Sequence, residues 1–235
     1  MVKKAGYPDP KPDLGGQWRE CTPHTVGDFS GVGYYFARSL NDSLKFPIGM
    51  IQAAWGGTNI HPWMSRAGLE SNPDTRYILE GWGPIIDDKP LEMVRHYEAV
   101  AGWFEYCFVQ MSRRQSYDPF PANPKGFDKA LWAPGWLYNA MVAPVTRFPV
   151  AGAVWLQGEG DSGRAYMYRT LLATLIGDWR KQWGIPDMPF IVVQLANVHD
   201  VKTEPVESTW AETLEAQLMA LKLPRTGVAA TLDIG

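Results

Sequence analysis

Several patterns that mark large protein classes are scarce or missing in this sequence. Its two cysteines, Cys21 and Cys107, do not by themselves say whether they pair, and they leave the redox compartment open. No apolar run approaches the ~20 residues that a membrane-spanning helix needs. The first residues, MVKKAGYPDPKPDLGG, are polar and proline-rich and lack the apolar centre of a signal peptide. The sequence therefore predicts no membrane span and no leader within these residues.

Charge and histidine content argue against nucleic-acid and metal binding. With 22 basic and 25 acidic residues the formal net charge is −3, and no Lys/Arg cluster offers phosphate groups a basic surface. The four histidines are scattered, without the paired spacing of metal ligands. No predicted strand is followed by G-x-G-x-x-G, so a dinucleotide site is not indicated. We expect no cofactor, no metal and no nucleic-acid partner.

Aromatic residues, in contrast, are abundant. The chain has 11 Trp, 10 Tyr and 9 Phe, which suits a large rigid core or an aromatic surface for sugar rings; the core is the default interpretation. With 235 residues and neither repeat nor linker, the chain is long enough for one domain with its own core. We predict a single domain over residues 1–235, with an insertion or small subdomain at about 61–146.

Apolar runs bounded by Gly or Pro predict buried strands, and apolar residues at helical spacing predict helices between them. The predicted strands are FPIGMIQAAWGGT, VAGAVW, FIVVQLANV and TGVAATLDIG. Helices are predicted from Phe29 onward, over about 91–113, and along the apolar stripe of 171–183, which Gly184 closes. Strands alternating with helices predict an α/β fold with a parallel sheet.

A further helix is predicted to begin near Thr209. Thr209 and Glu212 have the spacing of a capping box. The helical spacing predicts that its inward face carries four apolar residues: Trp210, Leu214, Leu218 and Leu221.

Polar residues and glycines follow the predicted strands where they end. Gly56, Gly57 and Thr58 follow the first strand, and Gln157 and Glu159 follow the second. Gln194, Asn197 and Asp233 stand at the later ends. Because the carboxyl ends of parallel strands share one edge, which is where ligands bind in open α/β sheets, one crevice gathers these groups. A glycine N–H and a glutamine amide are donors suited to the oxyanion of acyl transfer, so we assign Gly56 and Gln157 to an oxyanion hole.

The sequence resembles the sialate O-acetylesterase family, a branch of the SGNH/GDSL hydrolases. The resemblance is carried, in order, by these blocks: GDFSGVGYYFARSL, PIGMIQAAWGGTNIHPW, LYNAMVAPV, GAVWLQGEGD, DWRKQWG, MPFIVVQLANV and TWAETLEAQLMALKLPRTGVAATLDIG. The pair W-G-G-T and W-x-Q-G-E is the most specific part. The resemblance implies a three-layer α/β/α, flavodoxin-like fold and hydrolysis of O-acetyl esters of sugars.

Within this resemblance, Gly56 matches the family's oxyanion glycine, with Gly57 as the neighbour that a shifted alignment would choose. Gln157 stands where other SGNH enzymes have Asn. Glu159 is interpreted as a second-layer anchor, because an ionised carboxylate cannot donate to an oxyanion. Asp161 is expected to cap the following segment.

Predicted substrate contacts come from a smaller group of side chains. Trp63, Tyr138 and Asn139 are the assigned substrate-binding residues. Trp63 and Tyr138, together with Trp132 and Trp136, are candidate sugar platforms, and core packing is an equal alternative for each.

The chain departs from the family at its ends. It contains no G-Q-S-N-like turn for the nucleophilic Ser and no D-x-x-H block for the general base. Ser30 and Ser43 imitate a G-D-S motif, but neither follows a buried strand and both stand at the ends of one helix. His199 and Asp200 imitate a general base and its orienting carboxylate, but adjacent side chains point in different directions, so a loop histidine is the better interpretation. We expect a fragment that is incomplete at both ends, inactive alone and prone to aggregate through an exposed sheet edge.

The sequence thus predicts a carbohydrate esterase acting on acetylated sugars or glycans through a Ser nucleophile. Two alternatives stay open: an esterase for acetylated xylan or another glycan, and a non-catalytic sugar-binding protein on the same fold. Family habit implies a periplasmic or secreted location. The oligomeric state stays open.

Overall fold

The computed structural model describes residues 6–13, 16–86, 90–122, 133–198, 204 and 206–232. Four residues singled out in the sequence lie outside this part: Trp132, His199, Asp200 and Asp233. Within the described part no helix is long and apolar enough to cross a membrane.

Three short strands form the sheet: β1 (Ala153–Trp155), β2 (Phe190–Val193) and β3 (Thr226–Ala229). The strand order is β1-β2-β3, and both pairs are parallel, with Val154 opposite Ile191 and Val192 opposite Val228. Phe190 and Val192 are fully buried, as expected for the central strand of a parallel sheet. The predicted α/β class with a parallel sheet is confirmed.

Six α-helices accompany the sheet in the described residues: α1 (Gly31–Leu44), α2 (Arg66–Ser71), α3 (Pro73–Ile86), α4 (Pro90–Ser112), α5 (Ala165–Trp183) and α6 (Thr209–Leu218). Helix α5 follows β1 and α6 follows β2, and the two helices pack against each other. The predicted stripe of α5 is buried, from Leu171 to Trp179. Gly184 ends α5 with φ +66°, a left-handed conformation that glycine adopts without strain.

The predicted first strand is wrong. In the run FPIGMIQAAWGGT, all of which the structure describes, only Ala53 forms an isolated β-bridge. An apolar run becomes a strand only where a neighbouring backbone completes its hydrogen bonds along its length, and among the described residues this run has that pairing only at Ala53.

The predicted inward face of α6 is wrong at two of its four residues. Leu218 is 44% exposed and Leu221 is 55% exposed, whereas Trp210 and Leu214 are half-buried. Gln217 is fully buried instead, because its side chain bonds to backbone at the sheet: its Oε1 accepts from Leu195 N at 3.0 Å. The N-cap is Ser208, whose Oγ accepts from Ala211 N at 3.2 Å, so the predicted cap at Thr209 is off by one residue.

Residues 61–146 contain more helix than the sequence indicated. The predicted helix at 91–113 is α4, but α2 and α3 were not predicted. Their signals are short: Ser65 caps α2, its Oγ accepting from Gly68 N at 2.8 Å, and α3 begins at Pro73. That this region is an insertion in a single domain stays a prediction.

Candidate active site

Two loops of the chain meet beyond the carboxyl end of β1. One is the turn of residues 56–60, and the other is the short 3-10 helix Glu159–Arg164 with the preceding Gln157. Gln157 Nε2 donates to Thr58 O at 3.0 Å, and Asn59 Nδ2 donates to Gly160 O. A side chain at Gly160 would approach Thr58 O to 3.0 Å, so glycine permits the close contact. The structure therefore brings together the two segments that the sequence assigned to one crevice.

The buried carboxylate of Asp161 joins these loops. It is 0% exposed. Oδ2 accepts from Ile60 N at 2.8 Å and from Gln157 Nε2 at 2.7 Å. Oδ1 accepts from Arg164 Nη2 at 2.8 Å and Nε at 2.9 Å, and from Asn59 Nδ2 at 3.3 Å. The expectation that Asp161 merely caps the next segment is wrong, because its partners lie on both loops.

Gln157 is fixed at every polar atom of its side chain. Both amide hydrogens have acceptors, Thr58 O and Asp161 Oδ2. Its Oε1 lies 3.1 Å from the hydroxyl of Tyr168, which also donates to Gln157 O at 2.9 Å. Tyr168 is completely buried, and burial raises the pKa of its hydroxyl above the ordinary value of 10.0, so it stays a donor. The oxyanion role of Gln157 stays a prediction, and it requires that one amide hydrogen be released.

The two predicted oxyanion glycines lie in the exposed turn. Gly57 has φ +75°, a conformation that favours glycine over any residue with a Cβ. A Cβ at Gly56 or Gly57 would meet no atom within 4 Å, so the space next to both is open. An open face next to the turn is where an ester could approach, and donation from Gly56 or Gly57 to an oxyanion stays a prediction.

Glu159 projects from the start of the 3-10 helix and is exposed. Its carboxylate makes no hydrogen bond or ion pair with the described part of the chain. The anchoring carboxylate between these loops is Asp161 instead. A supporting role for Glu159 stays a prediction.

The predicted sugar contacts lie mostly inside the core. Trp63 is 4% exposed, packs edge-on against Trp155 at 6.4 Å between ring centroids, and donates from Nε1 to Thr58 Oγ1 at 3.0 Å. Trp136 and Tyr138 are buried as well. Asn139 donates from Nδ2 to Tyr7 O at 3.0 Å and to Pro8 O at 2.7 Å, which ties the N-terminal segment to the core. In this conformation these side chains serve packing, and their substrate contacts stay predictions.

Sequence reasoning missed a chain of contacts behind Asp161. Arg164 Nη2 lies 3.0 Å from Nδ1 of the buried His61. Because a guanidinium only donates, Nδ1 must accept, which places the proton of neutral His61 on Nε2. Asp161 and Arg164 have i, i+3 spacing, which the sequence showed, but nothing in the sequence pointed to His61 about 100 residues away.

A large cavity lies elsewhere. It measures about 1210 Å³ and lies between α1, α4 and the segments around Trp18 and Met50. Its lining includes both cysteines, which are free thiols, Cys21 exposed and Cys107 buried. Neither Gly56 nor Gln157 lines it. The open turn at 56–58, and not this cavity, is therefore the candidate site.

Comparison with known proteins relates the chain to one family. The model of the family described as carbohydrate esterase, sialic acid-specific acetylesterase, matches residues 125–235. The solved structure of a carbohydrate acetylesterase from Xanthomonas citri superposes with a TM-score of 0.70 and 31% identity over 100% of this chain. Residues 125–235 thus match the sialate O-acetylesterase family, and the whole chain is similar to a carbohydrate acetylesterase. The segment matched by the family model contains β1, Gln157 and the Asp161 cluster.

Curated relatives agree with this family match. The sialate O-acetylesterase of Mus musculus is 28% identical over 236 residues, and that of Homo sapiens is 25% identical over 235 residues. These alignments cover 92% and 93% of this chain, but only 40% and 37% of the two relatives. The chain likewise spans 42% of the Xanthomonas citri protein.

Proposed function

We propose that this protein is a carbohydrate esterase that removes O-acetyl groups from sugars, with O-acetylated sialic acid as the first candidate substrate. One observation carries the proposal: in a chain whose residues 125–235 match the sialate O-acetylesterase family, the W-G-G-T turn and the W-x-Q-G-E strand end are in direct contact through Gln157 and Thr58 at 3.0 Å. The family match supports the acetyl ester as the bond that is cleaved. The contact supports a shared site for its carbonyl oxygen.

The proposed reaction is acyl transfer in two steps. A serine hydroxyl attacks the ester carbonyl carbon, a histidine takes the hydroxyl proton, and the carbonyl oxygen becomes an oxyanion. The bond to the sugar oxygen then breaks, and the histidine returns the proton to that oxygen. Water releases acetate from the serine by the same route. We place the serine and the histidine in sequence outside these 235 residues, because neither family block occurs in them.

The residues of this chain would supply the donors for the oxyanion. Gly56 N–H and the Gln157 amide hydrogen that now bonds to Thr58 O are the proposed pair. Removal of one such donor costs about 100-fold to 1000-fold in kcat, because the charge that it stabilises develops only in the transition state.

The test compares the 235-residue chain with the longer protein that contains it in its reading frame. Both are assayed on p-nitrophenyl acetate, O-acetylated sialic acid and acetylated xylan. We expect no turnover by the 235-residue chain and hydrolysis by the longer protein. In the longer protein Gln157→Ala should lower kcat by about 100-fold to 1000-fold.

The matched control is Gln182→Ala, because Gln182 also uses its amide internally, donating to Ser65 Oγ at 3.1 Å and Asp178 Oδ1 at 3.0 Å. It lies on α5 away from the turn and should leave kcat unchanged. Turnover by the 235-residue chain alone would contradict the placement of the nucleophile. A longer protein that binds acetylated sugars without cleaving them would favour the sugar-binding alternative.

A further inference from the structure

We infer that Asp161 is the positioning residue of the oxyanion hole: its carboxylate holds the Gln157 amide so that the hydrogen now given to Thr58 O is the one presented to the oxyanion. This inference rests on the proposed function and assigns a role to a residue that the family resemblance did not. Asp161 itself touches no substrate in this proposal. It acts through Gln157.

The Asp161 carboxylate is fixed in place. Five donor contacts reach its two oxygens, from Ile60, Gln157, Asn59 and two nitrogens of Arg164. Every one of these partners donates, which suits an ionised carboxylate, since that group only accepts. Rotation of the carboxylate would break contacts to both loops at once. Asp161 is therefore a fixed point to which the Gln157 side chain is tied.

The two hydrogen bonds donated by the Gln157 amide differ in strength. The bond to Asp161 Oδ2 is 2.7 Å long and charge-assisted, whereas the bond to Thr58 O is 3.0 Å long and joins neutral groups. Charge-assisted bonds are about twice as strong as neutral ones. An oxyanion that forms next to the turn would have to replace either the neutral carbonyl of Thr58 or the carboxylate of Asp161 as acceptor. The weaker bond, to Thr58 O, is the one that it replaces.

A flipped Gln157 amide is excluded by the groups next to Nε2. If the amide rotated by half a turn, Oε1 would face Thr58 O and the Asp161 carboxylate, acceptor against acceptor. Asp161 and Thr58 together thus select a single orientation of the Gln157 side chain. A preorganised donor of this kind needs no rearrangement when the charge develops.

The first experiment needs no catalytic activity and uses the 235-residue chain. The side-chain amide signals of Gln157 are assigned in ¹⁵N–¹H NMR spectra by their loss in Gln157→Ala. In Asp161→Ala both signals should shift and their protons should exchange faster with water. Asp161→Asn, whose amide oxygen can still accept, should give an intermediate shift, and it carries the test if the alanine variant does not fold.

The control is Asp178→Ala, which removes another buried carboxylate with three hydrogen bonds to protein donors. It should leave the Gln157 signals in place. Unchanged Gln157 signals in a folded Asp161→Asn or Asp161→Ala variant would overturn the inference, whatever the protein hydrolyses.

The second experiment uses the longer protein and a double-mutant cycle. Asp161→Ala should lower kcat about as much as Gln157→Ala, with little change in KM, and the double variant should be no slower than the slower single variant. Asp161→Asn should recover part of kcat. Asp178→Ala should lower the midpoint of thermal unfolding without lowering kcat at a temperature where it is folded.

Losses that multiply in the double variant, or a change confined to KM, would refute the positioning role. If no form of the protein hydrolyses an acetyl ester, the proposed function fails, and the NMR signals still decide whether Asp161 anchors Gln157.

Discussion

Gly68 of helix α2 lies directly against the carboxyl group of Asp178 on α5, and this contact allows a quantitative prediction. A Cβ at position 68 would come within 3.0 Å of all three carboxyl atoms of Asp178. The carboxyl group cannot step aside freely, because Oδ2 accepts from Ser65 N at 2.7 Å and Oδ1 accepts from Ser65 Oγ at 2.6 Å. Gly68→Ala must therefore break part of the network that starts α2.

The magnitude follows from the bonds that are lost. A hydrogen bond to a charged group contributes about 1.5–3 kcal/mol, and at least two of them share the displaced carboxylate. Alanine gains about 1 kcal/mol over glycine in a helix, which offsets a part. We expect the free energy of unfolding to fall by about 2–5 kcal/mol, or roughly 4–20 °C in the unfolding midpoint of a chain of this size.

The control for Gly68→Ala is Gly177→Ala. Gly177 is also a helical glycine, on α5, but it is exposed and a Cβ there would meet no atom within 4 Å. This variant should be up to about 1 kcal/mol more stable than the wild type. Urea unfolding followed by circular dichroism measures both. Equal stability of the two variants would show that the Asp178 carboxylate yields without cost and that the reasoning is wrong.

Three further predictions concern single side chains. Ser208→Ala should cost about 1 kcal/mol of folding free energy through loss of the α6 cap, whereas Thr209→Ala should be near neutral, and urea unfolding distinguishes them. Arg180→Ala should cost about 3–5 kcal/mol of folding free energy, because the buried guanidinium donates to Met188 O and Pro224 O. Arg66→Ala breaks an ion pair whose arginine side chain is 76% exposed, so it should cost no more than about 0.5 kcal/mol in the same assay. Tyr168 keeps its proton in the folded state, because burial raises the pKa of its hydroxyl above the ordinary value of 10.0. Its contribution to the free energy of unfolding is therefore complete below pH 10.0 and is lost at higher pH, where the hydroxyl ionises in the unfolded chain. The free energy of unfolding should then fall by about 1.4 kcal/mol per pH unit more steeply in the wild type than in Tyr168→Phe between about pH 10.5 and 12, and equal slopes would contradict this.

The strands that the sequence predicted correctly share one property: each has a strand pattern in its sequence and lies next to another strand of the sheet. The runs that became β1, β2 and β3 are apolar, bounded by Gly or Pro, and separated by a helix long enough to return the chain to the sheet. The run around Ala53 has the same composition but forms only an isolated bridge. Composition specifies which segments favour extended backbone, and the availability of a neighbouring edge decides which of them become strands.

The contact between the two loops could be predicted, but the group that joins them could not. The prediction that parallel strand ends share an edge placed Gln157 next to the W-G-G-T turn. The contact is confirmed although the strand predicted before that turn does not form. That Asp161 accepts from Ile60 depends on a separation of 101 residues, which no local pattern encodes. The local pattern favoured a helix cap, and tertiary contacts overrode it.

Helix α6 presents a polar residue, Gln217, to the sheet because of the backbone groups that lie there. Gln217 Nε2 donates to Gln157 O at 3.0 Å, and its Oε1 accepts from Leu195 N at 3.0 Å, so one side chain satisfies the backbone at the ends of both β1 and β2. A leucine at this position would leave Leu195 N without this acceptor, at about 1–3 kcal/mol, and would leave Gln157 O with Tyr168 as its remaining donor. Gly158 completes the contact, since a Cβ there would lie 2.9 Å from Leu195 and 3.1 Å from Gln217. The backbone of Gln157 is thus held by α6 and its side chain by Asp161 and Tyr168. The proposed donor is rigid because every polar atom of this side chain has a partner, and the amide hydrogen that would pass to the substrate is the one now held by Thr58 O.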